Sequence, residues 1–323
     1  MKRRGFVRLA AGVTVGWLFA ATAEGRRTYR LGCLLSLPRD APENVAFFEE
    51  LRRRGFIEGQ NLTIEYRAYG LHPELISQYA AELVNAPVDV IIVNGDDAIR
   101  TLQQTTQTIP ILAIAGDMLG SRLTNSLVRP NGNTTGVSML TPNLDGRCQH
   151  ILIEAVPGVR RMAALVDTKT TEDGKVNELQ SAAREVGIEL SVHRIGKVDE
   201  ITRAIDIAQA AGARALNVLA SPLLFANRQF IIERVAALRL PTIYQWPEAA
   251  EEGGFVAFGA RITRLFREVI PRQLVQLFGG TKASGIPVEQ VVRIELVINL
   301  KTARALGLTV PSAVMAEATK LIE

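Results

Sequence analysis

Along most of the chain, short apolar runs alternate with longer stretches in which apolar residues recur every three or four positions. The first kind has the length of a buried strand and the second the period of an amphipathic helix. The runs Tyr29–Leu37, Asn61–Tyr69, Asp89–Asn94 and Pro110–Ala115 predict four strands. Between them, Pro42–Arg54 (Val45, Phe47, Phe48, Leu51), Pro73–Asn85 (Leu75, Ile76, Tyr79, Leu83) and Asp97–Thr106 predict helices. The pattern then restarts. Helices over Gly146–Ala155, Asp173–Val186, Asp199–Ala211 and Asn227–Leu238 interleave with strands over Arg161–Asp167, Glu189–Ile195, Arg214–Ala220 and Pro241–Gln245. The tail holds a long helix, Arg264–Phe278, a strand, Val291–Asn299, a short helix, Lys301–Leu306, and a last helix opened by Pro311.

Strands joined through helices of ten to fifteen residues make βαβ units and parallel sheets. The chain of 323 residues is long enough for two such cores. The predicted fold class is therefore α/β, with two doubly wound, Rossmann-like lobes joined by a hinge. The expected division is 28–142 plus about 260–286 for the first lobe and 144–256 plus about 288–323 for the second.

The N-terminus does not fit this pattern. Lys2, Arg3 and Arg4 precede an apolar run from Leu9 to Ala21 that ends in Ala21-Thr22-Ala23. A basic start, a run too short to span a bilayer comfortably and a small-x-small end describe an export leader over 1–23, cut after about Ala23. Arg3-Arg4-Gly5-Phe6-Val7-Arg8 resembles a twin-arginine signal, although Lys2 stands where Ser or Thr is usual, so the ordinary secretory route stays open. No cysteine lies at the cut, which argues against a lipid anchor. The leader also accounts for the formal charge of +4. Without its four basic residues the 37 Lys and Arg fall to 33, equal to the 33 Asp and Glu, and no basic stripe for nucleic acid remains. Cys33 and Cys148 read as two separate small hydrophobes, on a strand and a helix respectively.

Catalytic signatures are missing. The first strand runs into Leu35-Ser36-Leu37-Pro38 rather than a dinucleotide fingerprint, and Gly174-Lys175-Val176 lacks the P-loop spacing. His72, His150 and His193 lie far apart without metal-ligand spacing. No G-x-S-x-G elbow occurs. Ser221 and the Asp96-Asp97 pair are the groups an exported enzyme would use, but no histidine stands at a strand end to serve as base. Neither an enzyme activity nor a cofactor or metal is expected.

In doubly wound sheets, ligands bind beyond the carboxyl ends of the strands. Applied here, the rule selects Ser36, Gly95, Asp96, Asp117, Thr135 and Ser138 in the first half and Asp167, Ser221, Tyr244 and Phe258 in the second. Glycines that allow close backbone approach, hydroxyls, helix N-terminal N–H groups and aromatic walls suit a small zwitterion or an organic acid with an apolar part.

Specific stretches carry a resemblance. Pro130-Asn131-Gly132-Asn133-Thr134-Thr135-Gly136-Val137, preceded by Gly116-Asp117, is one. Gly55-Phe56-Ile57-Glu58-Gly59-Gln60-Asn61 and Thr108-Ile109-Pro110-Ile111 are two more. The tail adds Ile286-Pro287-Val288-Glu289-Gln290, then Glu295 to Ala303, then Leu306-Gly307-Leu308. Together they resemble the tryptophan/tyrosine-type ABC transporter substrate-binding proteins. The resemblance implies a type I periplasmic binding fold and a periplasmic location. It also implies a monomer that closes by hinge motion on a small solute such as an amino acid. The partners implied are a membrane permease and its cytoplasmic ATPase, with no cofactor. A ligand-sensing module for a membrane signalling partner would show the same residues.

There are departures. Gly253-Gly254-Phe255-Val256-Ala257-Phe258-Gly259 stands where relatives often show Gly-Gly-Leu-x-Ser-Tyr-Gly, Ser221 where they often carry Asp, and Met118-Leu119 where Pro-Val follows the aspartate. Fewer polar groups favour a more apolar solute, an aromatic or branched amino acid or organic acid.

Overall fold

A computed structural model describes residues 27–70, 72–139, 143–290 and 293–323. The leader and its cut site lie outside these residues. The first lobe begins β1 (Tyr29–Leu35), α1 (Pro42–Arg53), β2 (Leu62–Ala68), α2 (Ile76–Asn85), β3 (Val90–Asn94), α3 (Asp96–Thr105), β4 (Ile111–Ala115) and β5 (Thr134–Ser138). The second begins α4 (Leu144–Ala155), β6 (Arg161–Asp167), α5 (Asp173–Glu185), β7 (Glu189–Ile195), α6 (Asp199–Ala210) and β8 (Leu216–Val218). It continues through α7 (Pro222–Ala226), α8 (Arg228–Ala237), β9 (Thr242–Tyr244), α9 (Pro247–Glu251) and β10 (Val256–Ala260).

The chain then returns to the first lobe. A continuous helical segment runs through α10 (Ile262–Arg264), a wide π-type turn at Leu265–Val269 and α11 (Ile270–Phe278), and β11 (Glu289–Gln290) follows. Pro271 has no N–H to give to the preceding turn, and the wide turn just before it lets the helix continue. The tail β12 (Ile294–Asn299), α12 (Leu300–Leu306), α13 (Ser312–Glu317) and β13 (Lys320–Ile322) closes the second lobe.

The two sheets share one plan. The first has the order β11-β5-β4-β3-β1-β2, and the second β13-β12-β10-β9-β8-β6-β7. Every neighbouring pair is parallel except β10 with β12. In each lobe the first strand of the lobe lies between its second and third, so the winding direction reverses between β1 and β3 and again between β6 and β8. The inner strands β3, β4 and β6 are buried on both faces, as their near-continuous apolar runs require. On one face of the first sheet, Leu31, Cys33 and Leu35 pack with Phe47 of α1 and with Leu274 and Phe278 of the returning helix. In the second lobe Cys148 joins a core with Met162, Ala164 and Val166. The two cysteines are therefore unpaired, buried thiols in the cores of different lobes, and burial raises the pKa of each. No described helix is long and apolar enough to cross a membrane.

Where the pattern reading and the structure differ, non-local pairing decides. Thr135 and Ser138, selected as lying beyond a strand end, belong instead to a fully buried strand, Thr134–Ser138, between β4 and β11. The predicted helix Asn227–Leu238 is preceded by a separate turn of helix, α7, capped by Ser221, whose Oγ accepts from the Leu224 N–H at 3.0 Å.

Candidate functional site

The reversal points place the site. In the first lobe Leu34 pairs with Val93, so Ser36 and Asn94-Gly95 leave the sheet at one level. Their side chains close the gap: the Ser36 N–H donates to Asn94 Oδ1 at 2.8 Å, and Asn94 Nδ2 donates to Ser36 Oγ at 2.8 Å. Gly95 then turns the chain into α3 with φ +87°, and a Cβ there would sit 2.7 Å from the Tyr69 hydroxyl, which donates to the Asn94 carbonyl. Asp96 opens α3, and its Oδ2 accepts from the Ser121 hydroxyl.

In the second lobe Leu165 pairs with Val218, which brings Asp167 at the end of β6 near Ser221 beyond β8. Asp167 is buried, and its Oδ1 accepts from the Lys169 N–H at 2.9 Å. Five of the selected residues, Ser36, Gly95, Asp96, Asp167 and Ser221, thus gather at the two reversal points. Ser138 lies further along the first sheet, at the end of β5, where its Oγ accepts from the Met118 N–H at 3.2 Å. Asp117 follows β4 and is engaged in its own turn, with Oδ1 accepting from the N–H groups of Leu119 and Gly120.

Three selected residues sit elsewhere. Thr135 is fully buried inside β5, and its hydroxyl donates to the Ile286 carbonyl at 2.6 Å. That bond ties the returning segment to the sheet. Tyr244 was expected to be an aromatic wall but is fully buried in the core formed with α6 and α8, against Gly254, because its place on the pleat points it to a sheet face. Phe258 is mid-strand in β10 rather than in a strand-end loop, and it packs on the opposite face.

Pattern reasoning missed two polar groupings. At the start of α4, Asp145 accepts from Gln245 Nε2, just beyond β9, and pairs with Lys175 Nζ of α5 at 2.7 Å. Across the lobes, Glu43 of α1 meets Arg228 of α8 at 3.0 Å, and Leu37 packs against the second lobe's core. These contacts show the carboxyl ends of the two sheets facing each other. Near the crossing, Glu248 accepts from the Thr263 N–H and hydroxyl, and burial raises its pKa.

A family model for ABC transporter substrate binding proteins matches residues 43–322. The chain belongs to that family. Membership means a small-molecule ligand and an ABC permease as partner, and proteins of this family are substrate-binding components rather than enzymes. None of the curated proteins matches the chain.

Solved structures share the fold. A conserved domain protein from Vibrio cholerae O1 biovar El Tor is 23% identical with a TM-score of 0.79, covering 91% of this chain and 100% of that one. The ABC domain from Streptococcus pneumoniae in complex with L-Trp is 21% identical with a TM-score of 0.76, over 90% and 100% of the two chains. CD0873 from Clostridium difficile, a substrate-binding protein with adhesive properties in a ligand-free, open structure, is 18% identical with a TM-score of 0.62, over 91% and 99%. The substrate-binding chain thus has the type I periplasmic binding fold.

Proposed function

We propose that this protein is the exported solute receptor of an ABC uptake system, working as a monomer in the periplasm. It takes one small organic solute, an amino acid or an apolar or aromatic organic acid, into the crevice between its lobes. Hinge closure then presents the loaded protein to the permease, which its cytoplasmic ATPase drives. The observation that carries this reading is the apposition of two reversal points, one from each sheet, with Ser36 and Asp96 on one side and Asp167 and Ser221 on the other. The same crevice at a reversal point is where open α/β sheets take ligands. No catalytic step is assigned to these groups, since Asp167 and Ser221 are engaged in turn and cap bonds. The structural neighbour with L-Trp bound supports an amino acid as the class. The chain passes between the two sheets three times, and the described crossing between β10 and α10 is a candidate hinge point.

The test is a thermal-shift panel of residues 24–323 against amino acids, aromatic acids, sugars and purines. A solute that binds only the folded chain adds about 2.7 kcal/mol at a hundredfold excess over its Kd, a rise of several degrees in Tm. A rise with amino or aromatic acids is expected. Rises with polar sugars alone would contradict the solute class.

A further inference from the structure

The cross-lobe pair Glu43–Arg228 is built as a plug and a socket. The socket belongs wholly to the second lobe. Arg228 donates Nε and Nη2 to the two carboxylate oxygens of Glu252, both at 2.9 Å, and Nη1 to the Phe225 carbonyl at 3.1 Å. Its guanidinium also lies 4.3 Å from the centre of the Phe225 ring. The fork is therefore fixed before the first lobe arrives, with one Nη2 donor left over.

The plug belongs wholly to the first lobe. Glu43 stands in the first turn of α1, and the loop before it is held by Asn44, whose Nδ2 donates to the Pro38 carbonyl and to the Tyr66 hydroxyl, both at 2.8 Å. The Tyr66 hydroxyl in turn donates to the Leu37 carbonyl at 2.8 Å. Glu43 is fully buried in the assembled molecule and Arg228 is 9% exposed. Oε1 of Glu43 accepts from Arg228 Nη2, and among the described residues its buried Oε2 has no partner.

A carboxylate loses its water only if its partner compensates, and here that partner lies on the other lobe. We infer that Glu43 and Arg228 form a latch that selects the closed arrangement of the lobes. The latch sets how much of the protein is closed before solute arrives. Because the competent fraction scales apparent affinity, the latch tunes solute capture from outside the solute's own contacts. The inference rests on the lobes opening and closing around a solute, as proposed above.

The experiment measures the distance between the lobes by pulsed electron spin resonance on the exported protein. Nitroxides go on Val128→Cys and Val186→Cys, at positions 74% and 54% exposed on the first and second lobes, while Cys33 and Cys148 are fully buried and stay unlabelled. Without added solute, Glu43→Ala is expected to raise the open-to-closed ratio by roughly tenfold, with Glu43→Gln between it and the unmodified protein. Glu189→Gln, which weakens a pair with Arg161 between β6 and β7 of the second lobe, is expected to leave the distances unchanged. Identical distance distributions for Glu43→Ala and the unmodified protein would overturn the latch. Solute-induced thermal shifts on the same proteins report the receptor reading separately, since a failed latch leaves those shifts intact.

Discussion

Gly136→Ala is expected to destabilise the first lobe by about 3–5 kcal/mol, or to prevent its folding. Gly136 lies in β5 opposite Ala113 of β4, with φ at +145°. That conformation points a Cβ at the neighbouring strand, 1.8 Å from the Ala113 carbonyl oxygen and 2.7 Å from its nitrogen and carbonyl carbon. The obstruction is the Ala113 backbone, so no side-chain rotation relieves it, and the two strands must separate. The damage extends further, because the Gly136 carbonyl accepts from Gln273 of α11 at 3.1 Å and so helps to hold the returning helix. Urea unfolding followed by circular dichroism checks this. A loss below about 1 kcal/mol, the size of an ordinary surface change, would show that β4 and β5 are not paired as described.

The second large effect is expected for Phe47→Ala, a loss of about 3–5 kcal/mol in the same unfolding measurement. Phe47 is fully buried. Its ring stands edge-on to Phe266 with centroids 6.2 Å apart, and lies 5.2 Å from Phe48. It joins α1 to the helix that returns from the second lobe, so its removal leaves a cavity between elements more than 200 residues apart in sequence. Rigid sheet strands line that cavity and cannot collapse into it, which puts the cost at the upper part of the usual range. Phe47→Leu, which refills most of the volume, is expected to lose less than half as much. A small loss for Phe47→Ala would mean that the returning helix does not pack on α1.

Particular elements show what the sequence made legible. The strands Arg161–Asp167 and Glu189–Ile195 were read to their end residues, because charged or Gly-containing turns bound each run. The strand-end rule is also local, and it found the residues at both reversal points. Other features depend on partners distant in the chain. β10 is not among the strands that the pattern predicts, and antiparallel pairing with β12 makes it one. The two- and three-residue edge strands β11 and β13 exist only through pairing with β5 and β12. Polar Thr134 and Thr135 concealed β5 for the same reason.

The site shows the same limit. Glu43 reads as an ordinary first-turn carboxylate and Arg228 as an ordinary helix start, and only the fold brings together residues 185 positions apart. The Asp145–Gln245 contact spans 100 positions and is equally invisible to periodicity. Tyr244 was misplaced because a strand-end position says nothing about which face of the pleat the side chain takes.

The central claim is that one small solute is held, unchanged, between the two reversal points. Calorimetric titration of the solute that gives the largest thermal shift tests it most directly, using the unmodified protein beside a Ser36→Ala, Asp96→Asn double variant, with recovery of the solute afterwards. The expected result is one solute per chain, recovered intact, with affinity lowered at least tenfold in the variant. A stoichiometry other than one, conversion of the solute, or equal affinity in the two proteins would contradict it.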